Sequence, residues 1–403
     1  MKHTAGTHIR YASTRSLSIM GDIPLFIKEA IIMNKKQLKY ILTVVLLISC
    51  MAGIRAQSIT IGTYTFPDGG QYQGELFKGK PYGQGRTIFP NGDVHEGKYV
   101  RGKREGHGVY TFTDGEKYEG EWLQDHQHGQ GTYYFKNNNK YVGLWYRDMQ
   151  HGQGSMFYYN GDTYQGMWKE DKREGTGTYT FANGACYSGT WVGDVKQGRG
   201  KYDWNDGNVY DGEWRNNQMS GQGTYYYASG DTYTGGWLNS LHHGQGTYIY
   251  KNGDRFEGSY VNGERSGEGI STFANGDKYV GHYLKGDQDG MGRFTWASGA
   301  VYVGQWKANK QDGRGKYQWG NDNSYDGQWK NGMMDGEGVL RMDGYKFKGT
   351  FKEGLKEGHG ILEDKDGTHY EGEWKNDMKD GKFIVREGGH VRKTTFVRDV
   401  EQN

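Results

Sequence analysis

From Tyr72 onward, aromatic and glycine residues alternate with polar residues, and the same pattern restarts every 23 residues. Most units begin with tyrosine, and glycine follows at position 3 and an aromatic residue at position 5. Further along each unit, glycines occupy positions 12 and 14, and an aromatic residue occupies position 18. Spacings of two residues place positions 1, 3 and 5 on one face of a strand, and positions 12, 14, 16 and 18 on one face of another. The pattern therefore predicts two short strands per unit.

The units are evenly spaced, apart from one interval of 22 residues between Tyr325 and Phe347. A half-unit at residues 62–69 precedes them. The 14 units begin at Tyr72, His95, Tyr118, Tyr141, Tyr164, Tyr187, Tyr210, Tyr233, Phe256, Tyr279, Tyr302, Tyr325, Phe347 and Tyr370. Repetition with this period indicates an array in which one unit alone is unstable and neighbouring units stabilise one another.

The segments between the strands carry turn signals. Positions 7 to 11 vary from unit to unit and predict a variable loop. The link to the next unit often contains Asn-Gly, as at Asn91-Gly92 and Asn160-Gly161, which predicts type I′ turns. With two strands per unit, the sequence predicts 28 strands in an all-β, elongated, single-layer antiparallel meander of tandem β-hairpins. Because strands twist, this sheet should be twisted and curved.

Composition agrees with a repetitive β structure. The chain has 69 glycines and 33 tyrosines but only 34% hydrophobic residues, and the glycines lack the period of collagen. All 12 tryptophans lie at position 5 or position 18. Glycine leaves a gap in a pleated sheet that a ring can cover, so the rings should serve packing first. A subset should also form an aromatic binding face, for which the candidates are Trp122, Trp145, Trp168, Trp191, Trp214, Trp237, Trp306 and Trp329.

Charge and cysteine content exclude some classes of protein. A net charge of +2 gives no strongly basic surface, so nucleic acid is not an expected partner. Cys50 and Cys186 are the two cysteines, and Cys50 precedes the repeats, so no disulfide is expected within the array.

The N-terminal segment resembles an export signal. A basic stretch from Asn34 to Lys39 precedes an uncharged run of 15 residues, Tyr40 to Ile54. That run is shorter than the roughly 18 to 20 residues needed to span a bilayer, which disfavours a membrane anchor. We therefore assign residues 33–56 to a signal peptide or lipoprotein signal, and residues 1–32 to an extension ahead of a start at Met33.

The signal has two alternative outcomes. Cleavage after Ala56 would leave Gln57 at the mature N-terminus. Alternatively, Leu47-Ile48-Ser49-Cys50 resembles a bacterial lipobox, which predicts acylation of Cys50. Both outcomes predict an exported protein, in the periplasm, the outer envelope or the extracellular space, either free or tethered to a membrane.

The repeated pattern Y-x-G-x-W, followed by G-x-G-x-Y-x-F, resembles the MORN (membrane occupation and recognition nexus) repeat. On this basis residues 57–392 form the repeat array, and residues 393–403 a C-terminal tail or capping strand. The resemblance implies tandem hairpins used for scaffolding, for protein contacts and, in some members, for phospholipid contacts. Departures from the pattern are Leu76, His95, Ser271, Phe383, a one-residue deletion near Gly344, and the loss of the position-18 aromatic residue in the last three units.

No motif predicts catalysis, a cofactor or a metal. Gly83 and Gly85 lack the remainder of a phosphate-binding loop. His126 and His128, with Asp125, lie at variable positions where solvated polar residues are common, as do His242 and His243. The sequence thus predicts a non-enzymatic, exported scaffold that binds a protein. A phospholipid-associated or envelope-tethered binder and a carbohydrate binder are the alternatives, and the oligomeric state stays open.

Overall fold

The computed structural model describes residues 39–44 and 58–402. The chain divides into two units, Met1–Thr60 and Ile61–Asn403. In the first, residues 39–44 are helical, and the Thr43 hydroxyl donates a hydrogen bond to the Lys39 carbonyl oxygen at 2.6 Å. No helix within the described residues has both the length and the apolar character needed to cross a membrane. The predictions for Cys50, Ala56, Gln57 and residues 1–32 fall outside the described residues.

Between residues 58 and 402 the chain forms 31 β-strands joined by turns. The strands are β1 (Thr60–Thr65), β2 (Gln71–Phe77), β3 (Lys80–Ile88), β4 (Val94–Val100), β5 (Lys103–Thr111), β6 (Lys117–Leu123), β7 (His126–Tyr134), β8 (Lys140–Tyr146), β9 (Met149–Phe157), β10 (Thr163–Lys169), β11 (Lys172–Thr180), β12 (Cys186–Val192), β13 (Val195–Asp203), β14 (Val209–Arg215), β15 (Gln218–Tyr226), β16 (Thr232–Leu238), β17 (Leu241–Ile249), β18 (Arg255–Val261), β19 (Glu264–Thr272), β20 (Lys278–Leu284), β21 (Asp287–Thr295), β22 (Val301–Lys307), β23 (Lys310–Gln318), β24 (Ser324–Lys330), β25 (Met333–Met342), β26 (Tyr345–Lys352), β27 (Leu355–Glu363), β28 (His369–Lys375), β29 (Met378–Glu387), β30 (His390–Val397) and β31 (Val400–Gln402).

The strands form one open sheet in which each strand pairs with the next along the chain. The pairings are antiparallel, as in β6 with β7 and β7 with β8. The prediction of a single-layer antiparallel meander is therefore confirmed. Beyond the 28 strands predicted, the described residues add β1 from the half-unit and β30 and β31 after the last unit.

The two strands within a unit are joined by a two-residue turn. In the unit of Tyr118, β6 ends at Leu123 and β7 begins at His126, and Leu123 pairs with His126. The turn residues Gln124 and Asp125 have φ values of 50° and 74°. Two successive left-handed residues are characteristic of a type I′ turn. The predicted loop at positions 7 to 11 is therefore wrong, because positions 9 to 11 already belong to the second strand.

The links between units are longer than the predicted type I′ turns. The Phe89 N–H donates to the Asp93 carbonyl oxygen and the Gly92 N–H to the Phe89 carbonyl oxygen, each at 2.9 Å. Gly92 has a φ of 90°, whereas Asn91 is not left-handed. This is a three-residue loop, a type I turn followed by one left-handed residue. The type I′ prediction was wrong here because the sequence motif did not fix the loop length.

The one-residue deletion near Gly344 changes the type of link without interrupting the sheet. Asp343 and Gly344 have φ values of 51° and 86°, and Met342 pairs directly with Tyr345. Removing one residue has thus turned a three-residue loop into a two-residue turn with the favoured Asp-Gly sequence.

A register shift recurs in every complete unit and determines which side chains share a face. Between β10 and β11, Gly166 pairs with Gly177 but Trp168 pairs with Arg173. One residue lies between the paired positions on β10 and three lie between them on β11, so β11 bulges. Gly175 lies in the bulge with a φ of 68°, which explains the glycine at position 12. The bulge places position 10 directly opposite the position-5 aromatic residue.

The core of the sheet consists of the position-1 and position-5 rings. Tyr118 has no exposed surface, and its ring lies across Gly131 on the neighbouring strand. A Cβ atom on Gly131 would lie 2.4 Å from the Tyr118 Oη, so no larger residue fits beneath the ring. The Tyr118 hydroxyl donates to the Glu121 carbonyl oxygen at 2.8 Å. The predicted packing of rings over glycine is confirmed, with tyrosine rather than tryptophan covering the glycine.

The position-5 tryptophans connect each unit to the one before it. The Trp122 Nε1 donates to the carbonyl oxygen of Gly108, which belongs to the preceding unit, at 3.3 Å. Trp145 packs edge-on against Tyr141 of its own unit, with ring centroids 5.2 Å apart, and against Tyr118 of the preceding unit at 5.3 Å. Each unit therefore depends on its neighbour for both packing and hydrogen bonds.

Candidate binding face of the repeat array

The tryptophans predicted to form a binding face lie in the core. Their exposed fractions range from 3% for Trp191 to 9% for Trp329. Between these limits lie Trp122, Trp145, Trp168, Trp214, Trp237 and Trp306. Their indole N–H groups donate to backbone carbonyl oxygens, as Trp191 does to Gly177 at 3.2 Å. These rings thus offer little surface to a partner, and their direct contact with one stays a prediction.

A different set of rings on the same face is half-buried and forms three runs of neighbouring ring contacts, which are separated at Met156 and Ser271. We name this set the aromatic ribbon: the aromatic residues at positions 16 and 18, from Phe89 to Trp319. In its centre, the ring centroids of Tyr202 and Trp204 are 4.4 Å apart, and those of Trp204 and Tyr225 are 5.4 Å apart. The ribbon comprises Phe89, Tyr110, Phe112, Tyr133, Phe135, Tyr158, Tyr179, Phe181, Tyr202, Trp204, Tyr225, Tyr227, Tyr248, Tyr250, Phe273, Phe294, Trp296, Tyr317 and Trp319.

The position-18 aromatic residue is evident in the sequence, where its regular spacing predicts a role in packing rather than in binding. Position 18 differs from position 5 in that it lies next to the link between units. No pair of glycines lies beside it for the ring to pack against. In the last three units this position holds Met342, Asp364 and Glu387, so the ribbon ends at Trp319. One part of the ribbon lines an open cleft of about 740 Å³ that includes Tyr110, Tyr133 and Phe135.

Carboxylates line the margin of the ribbon nearest the links. The Tyr179 hydroxyl donates to the Asp162 Oδ2 at 2.6 Å, and the Ala182 N–H donates to the Oδ1 at 2.8 Å. The hydrogen bond from Tyr179 lowers the pKa of Asp162, although burial opposes it. Asp93 and Asp231 make the same pair of contacts in their units. These carboxylates connect successive links and are already occupied as hydrogen-bond acceptors.

Basic residues line the opposite margin, at position 10. The guanidinium carbon of Arg173 lies 4.2 Å from the centroid of the Trp191 ring, a cation–π contact. Its Nε lies 2.8 Å from the Asp194 Oδ1, at position 8 of the next unit. The basic residues at this position are Arg104, Arg173, Lys196, Arg265, Lys356 and Lys379. The face thus combines stacked rings with a row of partly buried cations.

Comparison with known protein families identifies the repeat. The MORN-repeat profile matches residues 61–71, 72–94, 95–117, 118–140, 141–163, 164–186, 187–209, 210–232, 233–255, 256–278, 279–301, 302–324, 325–343, 347–369 and 370–382. The chain belongs to the MORN-repeat family. The matched MORN segments begin at the same residues as the 14 units counted from the sequence, and the additional segment corresponds to the half-unit. The resemblance inferred from the sequence is confirmed.

Other comparisons add little to the MORN assignment. No curated protein sequence matches the chain. Among solved structures, the TCP domain of Drosophila melanogaster SAS-4, solved with a proline-rich motif, is 14% identical with a TM-score of 0.26, over 38% of this chain and 85% of its own. A mutant TCP10 domain of Danio rerio CPAP is 16% identical with a TM-score of 0.25, over 61% of this chain and 99% of its own. Scores this low carry no argument about fold or function.

Two breaks in the MORN pattern compensate each other inside the sheet. Position 16 holds Thr87 and Ser271 instead of a ring, and in the units that follow position 5 holds Tyr99 and Tyr283 instead of tryptophan. The hydroxyls of Thr87 and Tyr99 are 2.7 Å apart, as are those of Ser271 and Tyr283. A small hydroxyl residue thus makes room for the tyrosine hydroxyl and provides its hydrogen-bond partner.

His95 is a third break, at a position that tyrosine occupies in most MORN units. It is fully buried, and its Nδ1 lies 2.7 Å from the Tyr99 hydroxyl. Its Nε2 has no hydrogen-bond partner. Burial lowers the pKa of His95 to about 3, and the positive charge of Arg104 acts in the same direction. His95 is therefore neutral in the folded protein.

We predict that acid selectively weakens the N-terminal units through His95. Its folded pKa lies below the ordinary value of 6.5, so the unfolded chain takes up a proton that the folded chain does not. The free energy of unfolding should therefore be highest above pH 6.5 and should decrease as the pH drops towards 3. At pH 5 protonation of His95 in the unfolded chain should have lowered it by about 2 kcal/mol. Urea unfolding at pH 7.5 and pH 5, followed by hydrogen exchange in β4 and β5, measures this loss.

The matched control is His95→Tyr. The unit of Tyr279 already combines a position-1 tyrosine with Tyr283 and Ser271, so tyrosine should fit beside Tyr99 and Thr87. Burial also lowers the pKa of His242, to about 4, and this contribution stays in the variant. The variant should lose less stability than the wild type between pH 7.5 and pH 5. An equal loss in both proteins would contradict the role of His95.

The histidines considered as metal ligands have separate partners. The His126 Nδ1 lies 2.5 Å from the Asp148 Oδ2, whereas Asp125 pairs with Arg104. His242 stacks on Tyr233 with ring centroids 3.6 Å apart. Within residues 39–44 and 58–402, no group of three or more metal-ligating side chains converges.

Proposed function

We propose that this MORN-repeat protein is a non-enzymatic, exported scaffold that binds another protein along the aromatic ribbon. The observation that carries the proposal is the series of half-buried rings from Phe89 to Trp319, which contact one another in three runs on a single-layer sheet. Partly exposed apolar surface of this extent is typical of interaction sites. MORN repeats in general form scaffolds that contact proteins or membrane lipids.

The composition of the face favours a protein partner. Tyrosine, tryptophan and arginine dominate the energetics of protein interfaces, because they combine a large contact area with hydrogen-bonding groups. The ribbon supplies the first two, and Arg104, Arg173 and Arg265 supply the third. Rings that are fixed by stacking also lose little conformational freedom on binding.

The contacts of the polar groups support binding rather than catalysis. Asp93, Asp162 and Asp231 are engaged by tyrosine hydroxyls and backbone N–H groups. His95 and His242 are kept neutral by burial. Export rests on the signal-like sequence of residues 33–56, with either cleavage before Gln57 or acylation at Cys50.

The proposed function is tested by capture from envelope extracts with the full-length chain. The informative variant is Trp204→Asp with Trp319→Asp, because Asp364 already occupies position 18 in a folded unit. Val192→Asp is the control, since Val192 is 50% exposed and lies on the opposite face of the sheet. We expect one or more proteins to be retained by the wild type and the control but not by the double variant. Identical capture by all three would contradict binding along the ribbon.

Localisation needs a separate measurement. Cells labelled with a fatty acid should show acylation of the wild type but not of Cys50→Ser if the protein is tethered. If the signal is cleaved, the mature chain should instead begin at Gln57 and carry no lipid. A full-length chain that stays in the cytoplasm would contradict export in either form. Binding of the purified chain to a glycan array, lost in the double variant, would favour the carbohydrate alternative.

A further inference from the structure

The basic residues along the ribbon differ in whether an acidic side chain stands beside them. In three cases an aspartate occupies position 8 of the next unit, and in a fourth an aspartate takes the equivalent place after the last unit. The Arg104 Nε lies 3.4 Å, the Arg173 Nε 2.8 Å and the Lys356 Nζ 3.8 Å from these carboxylates. The pairs are Arg104 with Asp125, Arg173 with Asp194, Lys356 with Asp377, and Lys379 with Asp399, whose Oδ1 accepts the Lys379 N–H at 2.8 Å.

Lys196 and Arg265 break this rule. The corresponding position-8 residues are Asn217 and Gly286, which carry no charge. The Asn217 Oδ1 still accepts the Lys196 backbone N–H at 2.8 Å, the same bond that the aspartates make elsewhere. Arg265 donates to the Tyr250 hydroxyl. Among the described residues, no carboxylate lies within ion-pair distance of either side chain.

The surroundings of Lys196 leave its charge poorly compensated. Its Nζ lies 4.3 Å from the ring centroid of Tyr202, 4.9 Å from that of Trp214 and 5.1 Å from that of Tyr187. The rings attract the cation but also displace water from it. Burial lowers the pKa of Lys196 to about 8, and the nearby charge of Arg173 adds to this effect. A carboxylate of a binding partner could therefore form an ion pair with Lys196, because the ammonium group is partly dehydrated and has no internal carboxylate beside it.

Arg265 offers a second cation of the same kind. Its guanidinium carbon lies 4.5 Å from the ring centroid of Phe256. A planar guanidinium can donate two parallel hydrogen bonds to one carboxylate, which gives direction as well as charge. Between the two cations, the ribbon continues through Tyr225, Tyr227 and Tyr248 with ring-centroid distances of 4.4 Å and 5.6 Å.

We propose that Lys196 and Arg265 bind two carboxylates of an extended acidic segment of the partner protein, lying across the strands beside the aromatic ribbon. This inference rests on the proposed function, because it names the partner chemistry of the same face. The acidic segment should follow the position-10 margin, since the opposite margin carries carboxylates such as Asp231 and Asp254. The partner carboxylates would take the places that Asp194 and Asp125 hold beside Arg173 and Arg104.

The register of the sheet fixes the spacing of the two acidic groups. Lys196 lies in β13 and Arg265 in β19, which are six strand intervals apart. At about 4.8 Å per interval, the two cations are roughly 29 Å apart along the sheet. An extended chain advances about 3.3 Å per residue, so the two acidic residues should be about nine positions apart.

Selection of a random peptide library displayed on phage, using the full-length chain as bait, tests this inference. Enriched peptides should carry two Asp or Glu residues about nine positions apart. Their affinity should fall about tenfold or more in Lys196→Gln, because a charge-assisted hydrogen bond is lost. Glutamine already occupies position 10 at Gln127 and Gln150, so the variant should fold. Lys356→Gln is the matched control and should bind like the wild type, since Lys356 is paired with Asp377 and lies beyond Trp319, where the aromatic ribbon ends.

The complementary variant is Asn217→Asp. It keeps the hydrogen bond to the Lys196 N–H and supplies the internal carboxylate that the other units possess. We expect it to weaken the acidic peptides as strongly as Lys196→Gln does, and to raise the pKa of Lys196. Retained affinity in both Lys196→Gln and Asn217→Asp would overturn the inference.

The remaining outcomes separate this inference from the proposed function. Enrichment of neutral or basic peptides that need Trp204 would overturn the acidic partner and leave protein binding intact. Failure to enrich any peptide, or enrichment of peptides that bind equally well to the Trp204→Asp variant, would contradict both. A last possible outcome is that Lys196→Gln abolishes binding to anionic phospholipid vesicles but does not change binding to peptides. This outcome would overturn the acidic protein segment and identify a lipid surface as the ligand of Lys196.

Discussion

Replacing Gly200 with alanine is expected to lower the stability of the surrounding units by about 3 kcal/mol, the upper end of the usual cost of overpacking a core. An added Cβ atom would lie 2.4 Å from the Tyr187 Oη and 2.6 Å from two carbons of its ring. Tyr187 has no exposed surface, and its ring lies between Trp191 and Trp214 at centroid distances of 5.1 Å and 5.4 Å. The ring therefore has no free space into which it can move.

The control for Gly200→Ala is Gly193→Asn, in the two-residue turn of the same unit. Gly193 has a φ of 54° and no atom within 4 Å of an added Cβ. Asn216, Asn239 and Asn262 occupy the same repeat position with φ values of 50° to 51°. Urea unfolding of the two variants and the wild type should show a large loss for Gly200→Ala and almost none for Gly193→Asn. Equal stability of all three proteins would contradict the packing of tyrosine over glycine.

Trp191→Ala is the second large effect, expected at about 3 to 5 kcal/mol for a buried tryptophan. Trp191 is 3% exposed, donates to the Gly177 carbonyl oxygen at 3.2 Å, and packs on Tyr164 of the preceding unit. Because each unit of an array is stabilised by its neighbours, the damage should spread to both sides. Hydrogen exchange should therefore accelerate in β10 to β14 and remain slow near β28.

Trp204→Ala is the comparison for Trp191→Ala. Trp204 is half-buried at position 18 and makes its ring contacts with Tyr202 and Tyr225. Losing an exposed stacking contact should cost only about 1 kcal/mol. If Trp204→Ala were as destabilising as Trp191→Ala, the division of the face into core rings and binding ribbon would be incorrect.

The sequence was sufficient for the architecture because the repeat supplies the same information many times over. Even spacing of glycine and aromatic residues specified strands, and their alternation with mostly polar residues indicated that one face of the sheet carries the packing. The aromatic residues at positions 1 and 5 were correctly predicted to serve packing within the sheet. Their separate roles, tyrosine over Gly131 and tryptophan bonded to Gly108, depend on the register shift, which residue spacing alone does not reveal.

Turn geometry and the binding face were less predictable, for a shared physical reason. The backbone dihedrals of Gln124 and Asp125 are imposed by the strands that these residues connect. Neither residue type favours the left-handed region strongly enough for the turn to be predicted from the sequence. Likewise, exposure depends on neighbouring units. Trp191 and Trp204 are both tryptophans in an aromatic-rich unit, yet a glycine pair lies beside the first and a link lies beside the second.

The unpaired cations show how a repeat can carry a local specificity. Lys196 and Asn217 are each ordinary for their positions, and only their combination removes the ion pair found at Arg173 and Asp194. Such a site becomes visible once the structure shows that position 10 of one unit faces position 8 of the next. The array thus keeps its packing constant while varying the charges presented along one margin.

The central claim is that tryptophans at position 5 hold the sheet together, whereas those at position 18 contact the partner. Hydroxyl-radical footprinting of all 12 tryptophans, with and without an enriched peptide, tests this claim most directly. We expect Trp204, Trp296 and Trp319 to be oxidised severalfold faster than the position-5 tryptophans, and Trp204 to be protected when the peptide binds. Equal oxidation at both positions, or protection confined to the opposite face of the sheet, would contradict the account.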